Sequence, residues 1–285
     1  MIDSTASRDG ARGTEPGDRY AAPAMRVLFI GDVVGRPGRA GLAAAMPELR
    51  HRHAPDLVIA NGENAAGGLG ITEKTARELF DAGVDVITTG NHVYRHREVY
   101  EFLDRAERIV RPANYMTGNP GRGSTVQPVG DRRVAVINLS GSVQLRTARS
   151  PFPEVDALLH RLEAEADVAI VDFHAEVTSE KVAMGWHLDG RVAACLGTHT
   201  HVPTADARVL PGGTAFISDV GMTGSRAGVI GVRREQALEA FRTQMPVKFD
   251  TADEDVWINA VAVGVRDDGL AESIEQVLIS APSDE

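Results

Sequence analysis

Two histidines one residue apart, in Gly197-Thr-His-Thr-His-Val202, can approach a common centre if the chain there is extended, because alternate side chains of an extended chain share a side. By itself a His-x-His pair is weak evidence, since surface and core histidines are as common as ligands. The sequence adds His174 after the apolar run 168–173, Asp32 after 26–31, Glu63 and Asn64 after 56–61, and Asn91 and His92 after 85–90. Neutral imidazoles combined with hard carboxylate and amide oxygens suit iron, manganese, zinc, cobalt or nickel, so these residue types point to a transition-metal site without choosing the ion.

Such groups act together only if the elements before them are aligned. Residues 26–31, 56–61 and 85–90 read as buried strands alternating with helices over 39–53, 72–82 and 95–105. Pro47 leaves room for a break in the first helix. Thr72 followed by Thr75 falls outside the strict capping-box pattern, so the second helix start rests on the preceding loop and on Ala76, Leu79 and Phe80. Later come strands at 134–139, 168–173 and 192–197, a helix at 155–166, and short apolar runs at 207–210, 214–218, 257–265 and 273–279. In α/β sheets the loops beyond the C-terminal strand ends converge on the site, and these polar groups occupy such loops. The strand-rich second half lacks regular crossover helices, so two packed sheets with outer helices are expected rather than one doubly wound sheet. No internal repeat or long linker divides the chain. Residues 25–285 read as a single domain, and residues 1–24, rich in Gly, Asp, Arg, Ser and Ala, as a flexible extension.

Composition narrows the function. The 285 residues, 43% hydrophobic and 25% charged, can bury a substantial core. Forty acidic against thirty basic residues give a net charge of -10, which argues against an extended nucleic-acid surface. A small phosphorylated substrate stays open, because a metal ion can supply positive charge locally. Cys195 is the single cysteine and lies in an apolar run, so an intramolecular disulfide is excluded and a buried thiol is expected. No apolar run reaches the roughly 18 residues of a membrane span, and the first 24 residues lack a signal peptide's pattern; a cytoplasmic protein with no membrane partner is the expectation. The glycine-rich loop 61–70 has no Gly-Lys-Ser/Thr ending, which disfavours an ATP-binding loop. Ser218 and Asp219 have no Gly-x-Ser-x-Gly elbow, which disfavours a serine hydrolase.

Read in order, Gly31-Asp-Val-Val-Gly-Arg36, Asn61-Gly-Glu-Asn-Ala-Ala-Gly-Gly68, Thr89-Gly-Asn-His92, Val171-Asp-Phe-His-Ala-Glu176, Gly197-Thr-His-Thr-His-Val202 and Ser218-Asp-Val-Gly-Met-Thr-Gly224 carry a resemblance. The sequence resembles the calcineurin-like metallophosphoesterases, and more closely their YmdB-like branch, from Met25 to Ile279. The block Thr178-Ser-Glu-Lys-Val-Ala-Met-Gly-Trp186 belongs to it too. The resemblance implies an α/β four-layer sandwich, two central mixed β-sheets flanked by helices, with two divalent or mixed-valence transition-metal ions, iron and/or manganese, at one edge. It implies Asp32 as a terminal ligand, Glu63 as the bridge, and Asn64 and His201 completing the first metal. Asn91, His174 and His199 match ligands of the second metal, and His92 matches the non-ligand histidine beside the substrate.

The chain departs from the broad family where Asp32 is followed by Val33 and Val34 instead of the Asp-x-His pattern, which removes a histidine and gives the Asn64 oxygen a use. Glu63 also stands where the broad family bridges with Asp. From the closer branch it departs at Val93-Tyr-Arg-His96, in 138–152 and in 224–231, which leaves substrate preference open.

The activity implied is hydrolysis of a small phosphodiester, foremost a 2′,3′-cyclic nucleotide to its 3′-nucleotide, by metal-activated hydroxide. Two ions roughly 3.5–4 Å apart suit that reaction, and the two oxygens of Glu63 can face different ions. The imidazole of His92, near neutral in its ordinary pKa, can stabilise phosphoryl oxygens or protonate the departing oxygen. Alternatives are another phosphodiester or phosphomonoester hydrolase, or a metal-containing regulatory or oligomeric protein with little catalysis; self-association is left open. Asp172 reads as a group that orients others, Glu176 and Glu180 as the solvated face of a helix, and Trp186, His187, Asp189 and Arg191 as a turn around the site. Arg36 and Arg122 are left outside the catalytic core.

Overall fold

A computed structural model describes residues 24–145 and 149–282. The flexible extension expected for residues 1–24 therefore lies outside the described residues except at Ala24, as do residues 146–148 of the altered 138–152 segment. The elements are β1 (Met25–Ile30), β2 (Asp32–Val33), α1 (Gly35–His53), β3 (Leu57–Asn61), α2 (Glu73–Asp81), β4 (Val86–Thr88), α3 (Tyr100–Arg105), β5 (Ile109–Val110), β6 (Ser124–Val129) and β7 (Arg132–Ser140). They continue with α4 (Pro151–Leu162), β8 (Val168–His174), α5 (Thr178–Leu188), β9 (Ala194–Thr198), β10 (Arg208–Val209), β11 (Ala215–Ile217), β12 (Met222–Ser225), α6 (Arg234–Thr243), β13 (Val256–Val265) and β14 (Ala271–Ser280).

The strands form two mixed sheets. The first runs β2-β12-β13-β1-β3-β4-β5, with β14 on β13; the second runs β10-β11-β9-β8-β7-β6. Within the first, β1, β3, β4 and β5 are parallel. Within the second, β7, β8, β9 and β11 are parallel. The period of two along each strand then sorts the side chains into layers. Val27, Phe29, Leu57 and Ile59 of the first sheet meet Val134, Val136, Val168, Ile170 and Leu196 of the second in one apolar layer between the sheets. The alternate residues Leu28, Ile30, Val58 and Ala60 pack under α1 and α2 through Leu42, Met46, Leu49, Ala76 and Leu79. On the far side, Ile137, Leu139, Val171 and Phe173 pack under α4 and α5 through Val155, Leu158, Met184 and Leu188. Three apolar layers thus separate four layers of structure, the expected sandwich. Each fully buried Val, Leu, Ile or Phe adds about 1.5–3 kcal/mol, so these layers drive the assembly.

Several local expectations change. Pro47 sits inside one continuous α1 rather than breaking it. Thr75 replaces the usual Glu of a capping box: its N–H donates to Thr72 Oγ1 at 3.2 Å, and its hydroxyl accepts from Thr72 N–H at 3.0 Å. Glu176 and Glu180 are not a solvated helix face. Glu180 is buried in α5, where it accepts hydrogen bonds from the Ser142 amide and hydroxyl at 2.9 and 2.8 Å. His187 and Arg191 bind Asp156 of α4, and Asp189 accepts the Gly212 amide just before β11. That turn lies at the N-terminal ends of the parallel strands, opposite the site it was expected to surround. Cys195 is buried as expected, and burial raises its thiol pKa. No helix among the described residues is long and apolar enough to cross a membrane.

Candidate metal centre

The inward-facing positions of the inter-sheet layer turn polar at the C-terminal strand ends. Along β8 they run Val168, Ile170, Asp172, His174; along β9, Ala194, Leu196, Thr198; along β3, Leu57, Ile59, Asn61. Asp172 and His174 are two residues apart and so face the same way. All these polar groups are buried, as are Asp32 in β2 and Glu63 and Asn64 in the loop after β3. The two sheets meet here through Asn61, whose Nδ2 donates to Asp172 Oδ2 at 2.9 Å.

His174 Nε2 is the focus of one cluster. It lies 3.1 Å from Glu63 Oε1, 3.0 Å from Asn91 Oδ1 and 3.0 Å from His199 Nδ1. Glu63, His174 and His199 each bring a donor atom within 4.8 Å of the others, a group able to hold a metal ion. A second cluster adjoins it. His201 Nε2 lies 4.0 Å from Asp32 Oδ1 and 3.1 Å from Asn64 Nδ2. Asn64 turns its Oδ1 to His92 Nδ1 at 3.0 Å; as a ligand it would need the half-turn that exchanges amide oxygen and nitrogen. Seven expected ligands and His92 are thus brought together.

The histidines reach the centre by a route the sequence did not suggest. The His-x-His segment is not extended: His199 and His201 have φ of 103° and 66°, a turn that aims both rings inward. Each candidate ligand ring also has its outer nitrogen engaged. His174 Nδ1 meets Thr198 Oγ1 at 2.8 Å, and that hydroxyl donates onward to Asp172 Oδ1 at 2.7 Å. His199 Nε2 meets Glu176 Oε2 at 3.0 Å, and His201 Nδ1 meets the Ile230 carbonyl at 2.9 Å. Such partners fix the tautomer that leaves the inner nitrogen a lone pair for a cation. Thr198, Glu176 and Ile230 were missed, because nothing in their local sequence separates them from ordinary strand-end and loop residues.

Electrostatics favours a cation here. Burial raises the Asp32 carboxyl, whose Oδ1 has no hydrogen-bond partner among the described residues. Burial also raises Asp172, to about 6. For Glu63, burial is outweighed by His174 and His92, which hold it well below the usual range. For His174, burial is outweighed by Glu63 and Asp32, which lift it to about 9. Burial and the neighbouring His174 press His199 down to about 3. An orphaned carboxylate oxygen and facing imidazole nitrogens are what a cation would satisfy. Gly90 leaves the room: a Cβ there would overlap the Glu63 carboxylate and the His174 ring.

The YmdB-like protein family matches residues 28–277. The chain belongs to that family. Over 257 residues this YmdB-like chain is 45% identical to a 2′,3′-cyclic-nucleotide 2′-phosphodiesterase of Bacillus subtilis, covering 90% of this chain and 97% of that protein. A hypothetical protein of Thermus thermophilus is similar in crystal structure at TM-score 0.85 and 43% identity, covering 90% of this chain and all of that one. A phosphatase of Mycoplasma pneumoniae is similar at TM-score 0.86 and 34% identity, covering 93% and 96%.

Proposed function

We propose that the chain is a metal-dependent phosphodiesterase that opens 2′,3′-cyclic nucleotides to 3′-nucleotides at a two-ion centre. The observation that carries this reading is the convergence of Glu63, Asn91, His174 and His199 on one point, beside a buried Asp32 oxygen with no hydrogen-bond partner among the described residues. The Bacillus relative supplies the substrate class. Glu63, Asn91, His174 and His199 would hold one ion; Asp32, Asn64 and His201 would hold the other, with Glu63 between them. Oxygen and imidazole donors of this kind suit iron and manganese. When bound, two such ions supply positive charge to phosphoryl oxygens and acidify a water molecule.

The chain's own part is to hold the phosphate beside a proton source. Hydrolysis places the water's hydroxyl on phosphorus, breaks the P–O2′ bond and requires a proton at the 2′ oxygen, while the 3′ ester stays intact. His92 suits that task. Its side chain is 33% exposed at the edge of the cluster, its amide is tied to Glu63 Oε2 at 3.1 Å, and its Nδ1 lies 3.4 Å from Glu63 Oε1, an acceptor that stays in place when Asn64 turns its oxygen to the metal. Nε2 has no hydrogen-bond partner among the described residues, so the protonated ring can deliver its proton there.

Product-resolved chromatography of 2′,3′-cyclic AMP, 3′,5′-cyclic AMP and a phosphomonoester, each with manganese and with iron, tests the reading. Conversion of 2′,3′-cyclic AMP to 3′-AMP in preference to the others is expected. Exclusive action on the monoester would overturn the specificity. Absence of turnover in protein carrying two metals would favour the regulatory alternative.

A further inference from the structure

Thr200 separates the two histidines of the turn. Its backbone N–H and its hydroxyl both donate to Asp219 Oδ2, at 3.0 and 2.8 Å. The same oxygen accepts Lys181 Nζ at 2.6 Å, and Asp219 Oδ1 accepts the Gly221 amide at 2.8 Å. Gly221 in turn accepts the amide of Asp32 through its carbonyl at 3.1 Å. Lys181 comes from α5, in the outer layer of the second sheet, and is 2% exposed; Asp219 follows β11 and is 1% exposed. Both are therefore out of water, and the carboxylate gathers four donors.

A buried ion pair is weak evidence for stability, because desolvation of both charges offsets much of their attraction. Geometry gives this one a different use. Residues other than glycine are strained in sparsely populated backbone regions, and they persist there only where the surroundings over-determine them. Here the turn is pinned at three successive points: the His199 amide on Asp32 Oδ2 at 3.1 Å, the Thr200 amide and hydroxyl on Asp219, and the His201 carbonyl under the Met222 amide at 3.1 Å. The first and last pins come from the facing sheet, through Asp32 of β2 and Met222 of β12; the middle pin is the one tied, through Lys181 of α5, to the outer helical layer.

We propose that Lys181 is a positioning residue, which through Asp219 and Thr200 holds the strained His199–His201 turn so that both rings stay aimed at the metal centre. It touches neither ion nor substrate. This rests on the two-ion reading above. It makes a distinctive demand: because the pin lies between the two histidines, loosening it weakens both ion positions together. Glu176 contacts His199 alone, so its loss should weaken one.

The experiment compares wild type, Lys181→Met, Lys181→Met/Asp219→Asn, Thr200→Val and Glu176→Gln, each stripped by chelation. Thermal unfolding of the metal-free forms is recorded first, then manganese binding by calorimetry and the visible spectrum after loading with cobalt. The double variant removes both buried charges together and should fold with nearly wild-type unfolding, yet bind both manganese ions roughly 10- to 100-fold more weakly. Its cobalt spectrum should change with the altered histidine coordination. Thr200→Val, which keeps the amide pin, should shift both sites in the same direction by less, and Glu176→Gln should shift one. Wild-type affinity and spectrum in the folded double variant would overturn the inference. So would failure of both Lys181 variants to fold without metal, since the pair would then serve the core. A wild type that binds no metal would remove the two-ion reading and this inference with it.

Discussion

The inter-sheet layer has two ends built by the same strands. At one end Val168, Ile170, Leu57, Ile59, Val134 and Val136 close an apolar interior; at the other, the same inward positions continue as Asp172, His174, Asn61, Asn138 and Ser140. Nothing in the backbone changes between them. The difference teaches that the candidate centre is anchored to a strand ladder through His174 and the Asp172, Thr198 and Asn61 side chains beside it: the apolar end sets how the sheets face each other, and the ladder carries that alignment to His174. The donors from the first sheet lie close by, Asp32 in β2 and Glu63, Asn64 and Asn91 on the short loops after β3 and β4. A site on rigid elements is held to the tolerance that coordination requires.

The comparison can be broken most severely at the polar end. Glu63→Ala removes the carboxylate proposed to bridge the two ions; metal analysis should find both ions lost, and turnover should fall to that of chelated wild type. Gly90→Ala inserts a Cβ against Glu63 and His174, and should likewise leave a folded chain without bound metal, measured by circular dichroism and elemental analysis on the same sample. His92→Ala should spare both ions while lowering kcat by roughly 10²- to 10⁴-fold, and unchanged kcat would remove His92 from the proposal. The smallest effect on chemistry should come from the apolar end. Ile170→Ala should lower stability by about 2–5 kcal/mol and leave kcat per metal-loaded chain close to wild type. A loss of metal affinity in Ile170→Ala larger than its loss of stability would show that the two ends are less separable than the ladder suggests.

The same contrast explains what was legible in the sequence. The strands leading to the centre are buried on both faces, so they stand out as apolar runs, and the polar residue that ends each run marks the site edge. That logic picked out Asp32, Glu63, Asn91, His174 and the His-x-His pair as candidates, which the fold brings together, and the order of the motif blocks located the family. The two-sheet sandwich followed from the missing crossover helices. Elsewhere the signal was weaker. Helix α5 buries Glu180, which read as solvated because its partner, Ser142, lies far along the chain. Strand β6 contains Pro128 and is only partly buried, and β12 is a four-residue strand. The turn at 199–201 read as extended because a positive φ at histidine is set by partners, Asp32, Asp219 and Met222, that lie far along the chain. Glu176 was misread for a related reason: its spacing from Glu180 suggests one helix, but α5 begins only at Thr178.

The central claim is that the polar end of the inter-sheet layer holds two cations bridged by Glu63. Anomalous diffraction from crystals of protein purified without chelator and reconstituted with manganese or iron tests it most directly. The account predicts two adjacent peaks, roughly 3.5–4 Å apart, with the Glu63 carboxylate between them, His174 and His199 on one and His201 with Asp32 on the other. A folded, reconstituted protein with no peak between the sheets, or with a single ion that Glu63 does not touch, would contradict it.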